Sequence, residues 1–266
     1  MFRPIIRRMQ ATANSLACIR VGPIHYAMNH TQLSVLITGG ATGIGFALAG
    51  KFHSAGNRVI LVGRSESALS KATDALPGVK VYAADISIAQ DRERLVNQFP
   101  NVSVLVNNAG IQVNMPIVES TPQDIEHELN INFLAPVLLS RAYLPLLLQQ
   151  PSAAIVNVSS GLALVPKQGA AIYCASKAAL HSYSKTLRWQ LEGTHVRVFE
   201  ILPPLVETAM TSGRGRGKIS PSQLADEFWD GFKEDRYEMQ IGKTKLLALI
   251  NRLAPSLAEK IMRHGL

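Results

Sequence analysis

Cysteine is scarce in this chain. Cys18 and Cys174 are the only two, too few for a disulfide framework and suited to a reducing compartment, so a cytoplasmic location is expected. Long apolar runs are absent as well. No stretch reaches the ~18 to 20 apolar residues that a bilayer-crossing helix needs, so no stable membrane insertion is expected. There is no G-x-S-x-G elbow, which leaves a serine hydrolase without its usual strained turn. No metal site is expected. Acidic residues are the minority charge: 19 Asp and Glu stand against 27 Lys and Arg, a net +8. Half of that excess lies in the first 27 residues, which hold Arg3, Arg7, Arg8 and Arg20 and no acid. The remainder is scattered, without a basic, aromatic-rich patch or a DNA-reading motif, so a nucleic-acid partner is not expected. No internal repeat, low-complexity block or linker interrupts residues 33 to 242.

What remains is a globular composition, 47% hydrophobic and 17% charged, over 266 residues. Short apolar runs alternate with helical patterns. Strands are predicted over 33–37, 58–62, 79–84, 102–106, 153–158, 196–201 and 238–241. Helices are predicted after residue 43, over 121–148 with Thr121 and Pro122 starting it, over 170–191 and over 221–233. This alternation predicts an α/β fold, a doubly wound parallel sheet of about seven strands flanked by helices in a single domain.

Two turns at strand ends suggest a dinucleotide. The first strand feeds Gly39-Gly40-Ala41-Thr42-Gly43-Ile44-Gly45 and then a helix. Glycines at 39, 43 and 45 let the backbone turn sharply and approach a pyrophosphate. The helix start offers free N–H groups and a positive dipole end. The second strand ends in Gly63-Arg64-Ser65. An acid at this point would hold a ribose 2′-hydroxyl; Arg64 and Ser65 suit a 2′-phosphate instead, so NADP(H) is favoured over NAD(H). Arg64 could equally be a solvated loop residue.

The chemistry is expected in the stretch SGLALVPKQGAAIYCASK, from Ser160 to Lys177. Tyr173 and Lys177 stand four apart in an Ala- and Leu-rich, Pro-free segment, so on a helix they share a face. A phenol ordinarily titrates near pH ~10. A neighbouring cation favours the phenolate and is expected to lower that value, as a general acid/base requires. Ser160 closes a strand-like run, where its hydroxyl could hydrogen-bond a reacting carbonyl oxygen. A Tyr-x-x-x-Lys pair alone is weak; the Ser thirteen residues earlier and the glycine turn sharpen it.

Together these residues resemble the short-chain dehydrogenase/reductase (SDR) family, over roughly residues 33 to 242. VSSGLA, YCASKAALHSYS and LPPLVET look most like its branch of DltE-type oxidoreductases. The resemblance implies a Rossmann-like fold and hydride transfer between a nicotinamide and a small-molecule carbonyl or secondary alcohol. It implies that Ser160, Tyr173, Lys177 and Asn132 are the catalytic set, with Asn132 linking Lys177 to solvent; Asn130 is the alternative if the helical register differs. It also implies cofactor contacts by Gly39, Thr42, Gly43, Ile44, Gly45, Arg64 and Ser65, and by Tyr173 and Lys177. Asp85 and Ile86 would meet the adenine, with a capping role as the alternative for Asp85. In the run Asn107-Asn108-Ala109-Gly110, the cofactor contact is assigned to Asn107, Ala109 and Gly110, with Asn108 and Ala109 also candidates for a purely structural role. Val206 and Thr208 would hold the carboxamide. Pro203-Pro204 departs from the family's usual Pro-Gly and stiffens that loop. A homodimer or homotetramer through helices 121–148 and 170–191 is implied. A dinucleotide-binding regulatory module without chemistry is the alternative function.

Three segments fall outside these motifs. Residues 1 to 30 read as an extension, expected to be poorly ordered, ahead of a catalytic domain over 31–266. The extension is either a transit peptide, which would make the protein mitochondrial, or a product of a start really at Met28. TSGRGRGKIS at 211–220 reads as a mobile loop and candidate substrate lid, and the loop from Leu162 to Gly169 as a cavity lining. The tail KLLALINRLAPSLAEKIM has an apolar helical stripe broken at Pro255, which packs on its own domain, on a subunit partner or on a membrane surface.

Overall fold

The computed structural model describes residues 28–264. Seven parallel strands form one sheet in the order β3-β2-β1-β4-β5-β6-β7. They are β1 (Ser34–Thr38), β2 (Arg58–Gly63), β3 (Lys80–Ala83), β4 (Val104–Asn107), β5 (Ala153–Val158), β6 (Val196–Leu202) and β7 (Glu238–Gln240). The central strands β1, β4 and β5 are buried at every position, which is why they read as unbroken apolar runs rather than as alternation. One face of the sheet, with Val35, Ile37, Val104 and Val106, packs on α1 (Gly43–Ser54) and α7 (Pro221–Lys233) through the rings of Phe52, Phe228 and Phe232. The other face, with Leu36 and Leu105, packs on α3 (Ala89–Gln98), α5 (Ala135–Leu147) and α6 (Ala171–Gln190). The helix α2 (Glu66–Ala75) joins β2 to β3.

The strand order turns about β1 and β4. Their carboxyl ends therefore open a crevice between connections that run to opposite sides, the place where open α/β sheets bind ligands. The glycine turn follows β1, Asn108 follows β4, Ser160 follows β5 and Pro203-Pro204 follows β6. Every element of the candidate site thus leaves the same edge of the sheet.

The helix expected over 121–148 is not one continuous α-helix. A capping box at Thr121 and Asp124, with Pro122 behind it, starts α4 (Pro122–Leu129); a π turn over Asn130–Leu134 follows, and α5 resumes. Pro136 accounts for the break. It has no N–H to give the carbonyl four residues earlier, that of Asn132, so the local winding widens.

The tail folds back on its own domain as α8 (Thr244–Leu253) and α9 (Pro255–Met262), split at Ala254 before Pro255. Ala258 and Met262 pack with Val165 of the β5–α6 connection. No helix among the described residues is long and apolar enough to cross a membrane. The expected N-terminal extension and Cys18 lie outside the described residues, except for residues 28–30. Of these, Met28 is buried in the core, and Asn57 donates to the His30 carbonyl at 3.0 Å.

Candidate active site

The glycine turn is held from below. Thr38 ends β1, and its Oγ1 accepts the N–H groups of Asn108 (3.0 Å) and Ala109 (3.1 Å). Asn108 returns the grip, its Nδ2 donating to the carbonyls of Thr38 (2.9 Å) and Gly39 (3.1 Å). Gly39 and Gly43 take positive φ, +62° and +55°. Gly45 has a different reason to be glycine: a Cβ there would stand 2.3 Å from the Gly39 carbonyl oxygen. The turn therefore folds onto the first turn of α1. Thr42, the N-cap, makes no side-chain capping bond, so the first N–H groups of α1 have no such partner.

These residues form one wall of a cavity of about 1080 Å³. Gly39, Thr42, Gly43 and Ile44 line it, with Ala109 and Gly110 beside them, and so do Ser160, Tyr173 and Lys177. Val206 and Thr208 line it from the β6 side. A Cβ on Gly43 would meet Thr208 Cγ2 at 3.1 Å, so the turn and the β6 loop nearly touch across the crevice. Exposed helix N-terminal amides, a cradle from which side chains are excluded, and a cavity at the upper end of ligand-site volumes together fit a dinucleotide.

Tyr173 and Lys177 lie one turn apart on α6. The Tyr173 phenol and the Ser160 hydroxyl face the same cavity, close enough for Ser160 to act on the phenol's pKa, and Ser160 Oγ accepts the Leu162 N–H at 3.1 Å. Lys177 is buried; its ammonium donates to the Val158 carbonyl at 2.9 Å and stands 5.9 Å from the centre of the Tyr173 ring. The expected lowering of the phenol is overturned here. Removal of solvent dominates and pushes the Tyr173 pKa up to about 12, against which the neighbouring Ser160 hydroxyl works. The same burial pushes Lys177 down to about 8, while the carboxylates of Glu200 and Glu128 pull it back up. Glu200 is wholly buried and takes the His181 ring Nδ1 at 2.8 Å, which ties α6 to β6 beneath the lysine.

Asn132, wholly buried in the π turn, clips the β4 loop. Its Oδ1 accepts the Ile111 N–H and its Nδ2 donates to the Ile111 carbonyl, both at 2.9 Å; Nδ2 also reaches Ser176 Oγ at 3.1 Å. A Cβ on Gly110 would lie 3.1 Å from Asn132 Oδ1 and 3.5 Å from Lys177 Nζ, so amide and ammonium converge on this glycine. Asn130 turns elsewhere, donating to the Ser87 carbonyl.

The remaining predicted positions lie off the cavity. Asn107 is one of them. The pleat places it with Leu105, away from the cavity, where its Nδ2 donates to Ser140 Oγ and Asn157 Oδ1. Asn108, not Asn107, reaches the wall. Ser65 caps α2 by accepting the Ala68 N–H. Arg64 stands at the end of β2 with its guanidinium 3.8 Å from Asp85. Asp85 accepts from the N–H and hydroxyl of Ser87, and Ile86 is buried in the core. The carboxyl ends of β3, β2, β1 and β4 are neighbours, so Arg64 and Asp85 sit along the sheet edge from the glycine turn.

The sequence pointed to part of the far wall, the loop from Leu162 and the segment 211–220, but not to its helices. Leu246, Leu247 and Ile250 of α8 and Met262 of α9 line the cavity opposite the glycine turn, alongside Leu162, Lys167 and the loop segment 214–217. Their apolar helical stripe was visible; the surface it would cover was not. Glu128 was also missed. Buried one turn before Asn132, it accepts the Val113 N–H at 3.0 Å, and burial raises its pKa. Beside Asp124 and Glu126 in a short amphipathic helix, it reads as one more solvated acid.

A family model described as short chain dehydrogenase matches residues 33–218. An uncharacterized oxidoreductase, DltE, of Bacillus subtilis (strain 168) is 43% identical over 225 residues, 80% of this chain and 89% of its own length. A short chain dehydrogenase from Burkholderia cenocepacia J2315, solved in complex with NADP, superposes with a TM-score of 0.80 at 25% identity, over 88% of this chain and 98% of that one. A short chain dehydrogenase/reductase from Burkholderia phymatum, solved with NAD, gives a TM-score of 0.78 at 23% identity, over 89% and 97%, a likeness of fold.

Proposed function

The chain belongs to the short-chain dehydrogenase family, and we propose that within it the protein is an NADP(H)-dependent oxidoreductase acting on a carbonyl or secondary alcohol. One observation carries this reading: Tyr173, Ser160 and Lys177 open on the same cavity as the Gly39–Ile44 turn. The nicotinamide, when bound, supplies or accepts a hydride at its C4. The turn and the amides of α1 hold the pyrophosphate, Val206 and Thr208 hold the carboxamide, and Arg64 with the start of α2 takes a 2′-phosphate. The absence of an acid at the tip of β2, where Arg64 and Ser65 stand, supports the last assignment.

Ser160 donates to the carbonyl oxygen and fixes it beside Tyr173. In reduction, Tyr173 delivers its hydroxyl proton to that oxygen. A pKa pushed up to about 12 keeps this donor protonated at neutral pH, while oxidation needs the phenolate and quickens as pH rises. Lys177 takes the nicotinamide ribose and, titrating near 8, passes protons on toward Asn132. Helices over 122–147 and 171–190 leave Leu134 and Trp189 exposed, which supports a homo-oligomer joined there. Cysteine usage supports a cytoplasmic location.

The test is a carbonyl and alcohol panel followed through reduced-nicotinamide absorbance, with NADPH and NADH in parallel. Turnover with NADPH is expected, and Tyr173→Phe should lower kcat by about 10² to 10⁴ while NADPH binding is unchanged. Tight NADPH binding with no turnover of any compound would instead favour a regulatory module.

A further inference from the structure

The cavity has a charge balance that hydride transfer alone does not require. No Asp or Glu among the described residues lines it, whereas Lys167, Arg214, Arg216 and Lys243 do, in addition to Lys177. Lys167 and Arg214 are half-buried, and neither has a carboxylate partner among the described residues. They are also close enough to feel each other. Burial, and then the Arg214 charge, lower the Lys167 pKa, and Arg214 also acts on the Tyr173 phenol. Two half-buried cations held together without a counter-ion are unfavourable by Coulomb repulsion, and a bound anion removes the penalty.

Both side chains stand on fastened backbone. The Lys167 N–H donates to Cys174 Sγ at 3.5 Å, which pins the β5–α6 connection beside Tyr173. The Arg214 N–H donates to the Thr211 carbonyl at 3.1 Å, and Lys218 Nζ donates to the same oxygen at 2.6 Å. Thr211 in turn is buried and tied to Val206 and Thr208. Neither cation belongs to the β1–α1 turn, whose backbone serves the pyrophosphate. The wall adjoining them is apolar, made by Leu162, Leu246, Leu247, Ile250, Ile261 and Met262.

We propose that the substrate is an amphipathic anion: a carbonyl compound or secondary alcohol with a carboxylate or phosphate paired to Lys167 and Arg214 and an apolar chain laid on the C-terminal helices. This rests on the oxidoreductase reading for the reacting group, but the anion site itself is testable without turnover.

Decanoate, decyl phosphate and decanamide are titrated calorimetrically into the full chain, alone and saturated with NADP. At least one anion should bind about 10-fold or more tightly than the amide. Lys167→Gln and Arg214→Gln should each erase most of that preference and leave NADP affinity within about 3-fold. The stronger of the two anions identifies the headgroup. In turnover, 3-oxodecanoate should exceed its methyl ester in kcat/KM by a similar factor, lost in both variants through KM. Equal binding of anions and amide overturns the proposal. So does a loss of NADP affinity in the variants with the anion preference intact, which would assign the cations to the cofactor. Anion-selective binding with no turnover of any compound upholds the site and sinks the oxidoreductase reading. Equal turnover of acid and ester does the reverse.

Discussion

The wall that holds the Gly39–Ile44 turn is made of backbone, drawn from the ends of two adjacent strands. The wall facing it is made of side chains, drawn from segments between residues 162 and 262. On the first, two glycines take positive φ, and Thr38 and Asn108 exchange two hydrogen bonds and make one more each, to Ala109 and Gly39, so nothing larger fits. On the second, Leu247 and Ile250 project from a helix that leaves Leu246, Leu249 and Leu253 largely exposed. Recognition by backbone tolerates almost no substitution, whereas recognition by side chains can be retuned one residue at a time.

Four substitutions or titrations would break or sharpen this contrast, in falling order of effect. Gly45→Ala drives a Cβ to 2.3 Å from the Gly39 oxygen and 2.5 Å from Asn108 Nδ2. It should weaken NADPH binding by about 100-fold and destabilise the fold by about 2 to 4 kcal/mol, measured by titration and denaturant unfolding. An unchanged affinity would mean the first wall is not rigid.

Lys177 borders both walls, and its behaviour with pH comes next. Its pKa, lowered to about 8, leaves it charged below that value and neutral above. Reductive kcat/KM should therefore be level below pH ~8 and fall about tenfold per unit above it, and Lys177→Arg should remove that limb below pH 10. The pH profile of the two proteins decides.

Ile250→Ala trims the second wall alone. KM for an apolar carbonyl substrate should rise about 3- to 10-fold with NADPH affinity unchanged. Loss of cofactor binding in this variant would erase the distinction between the walls.

Gly50→Ala is the smallest change and has the opposite sign. It lies inside α1 with nothing within 4 Å of the added methyl, so it should stabilise by about 0.5 to 1 kcal/mol and leave kinetics alone. Set beside Gly45→Ala, it separates glycine needed for close approach from glycine that merely sits in a helix.

Legibility followed the same divide. β5 and α7 begin and end where their residues predict, because an apolar run or a capping box with Pro at the first position is settled by near neighbours. The glycine turn could be read because its strain is local. Asn107 and Asn108 are adjacent and chemically identical, and only the pleat of β4 decided that the first faces Ser140 and the second the cavity. The break at Asn132 was latent in the spacing to Pro136 but was hidden by an otherwise good helix pattern.

By itself the sequence determined the order of strands and helices, the phosphate-type turn and the one-turn spacing of Tyr173 and Lys177. Each depends on residues within a few positions of one another. Only the tertiary structure decided that Tyr173 is pushed up rather than down, that α8 and α9 close the cavity, and that Lys167 and Arg214 meet without an acid between them. Desolvation and Coulomb repulsion depend on which distant segments come together, and no local pattern in the chain records that.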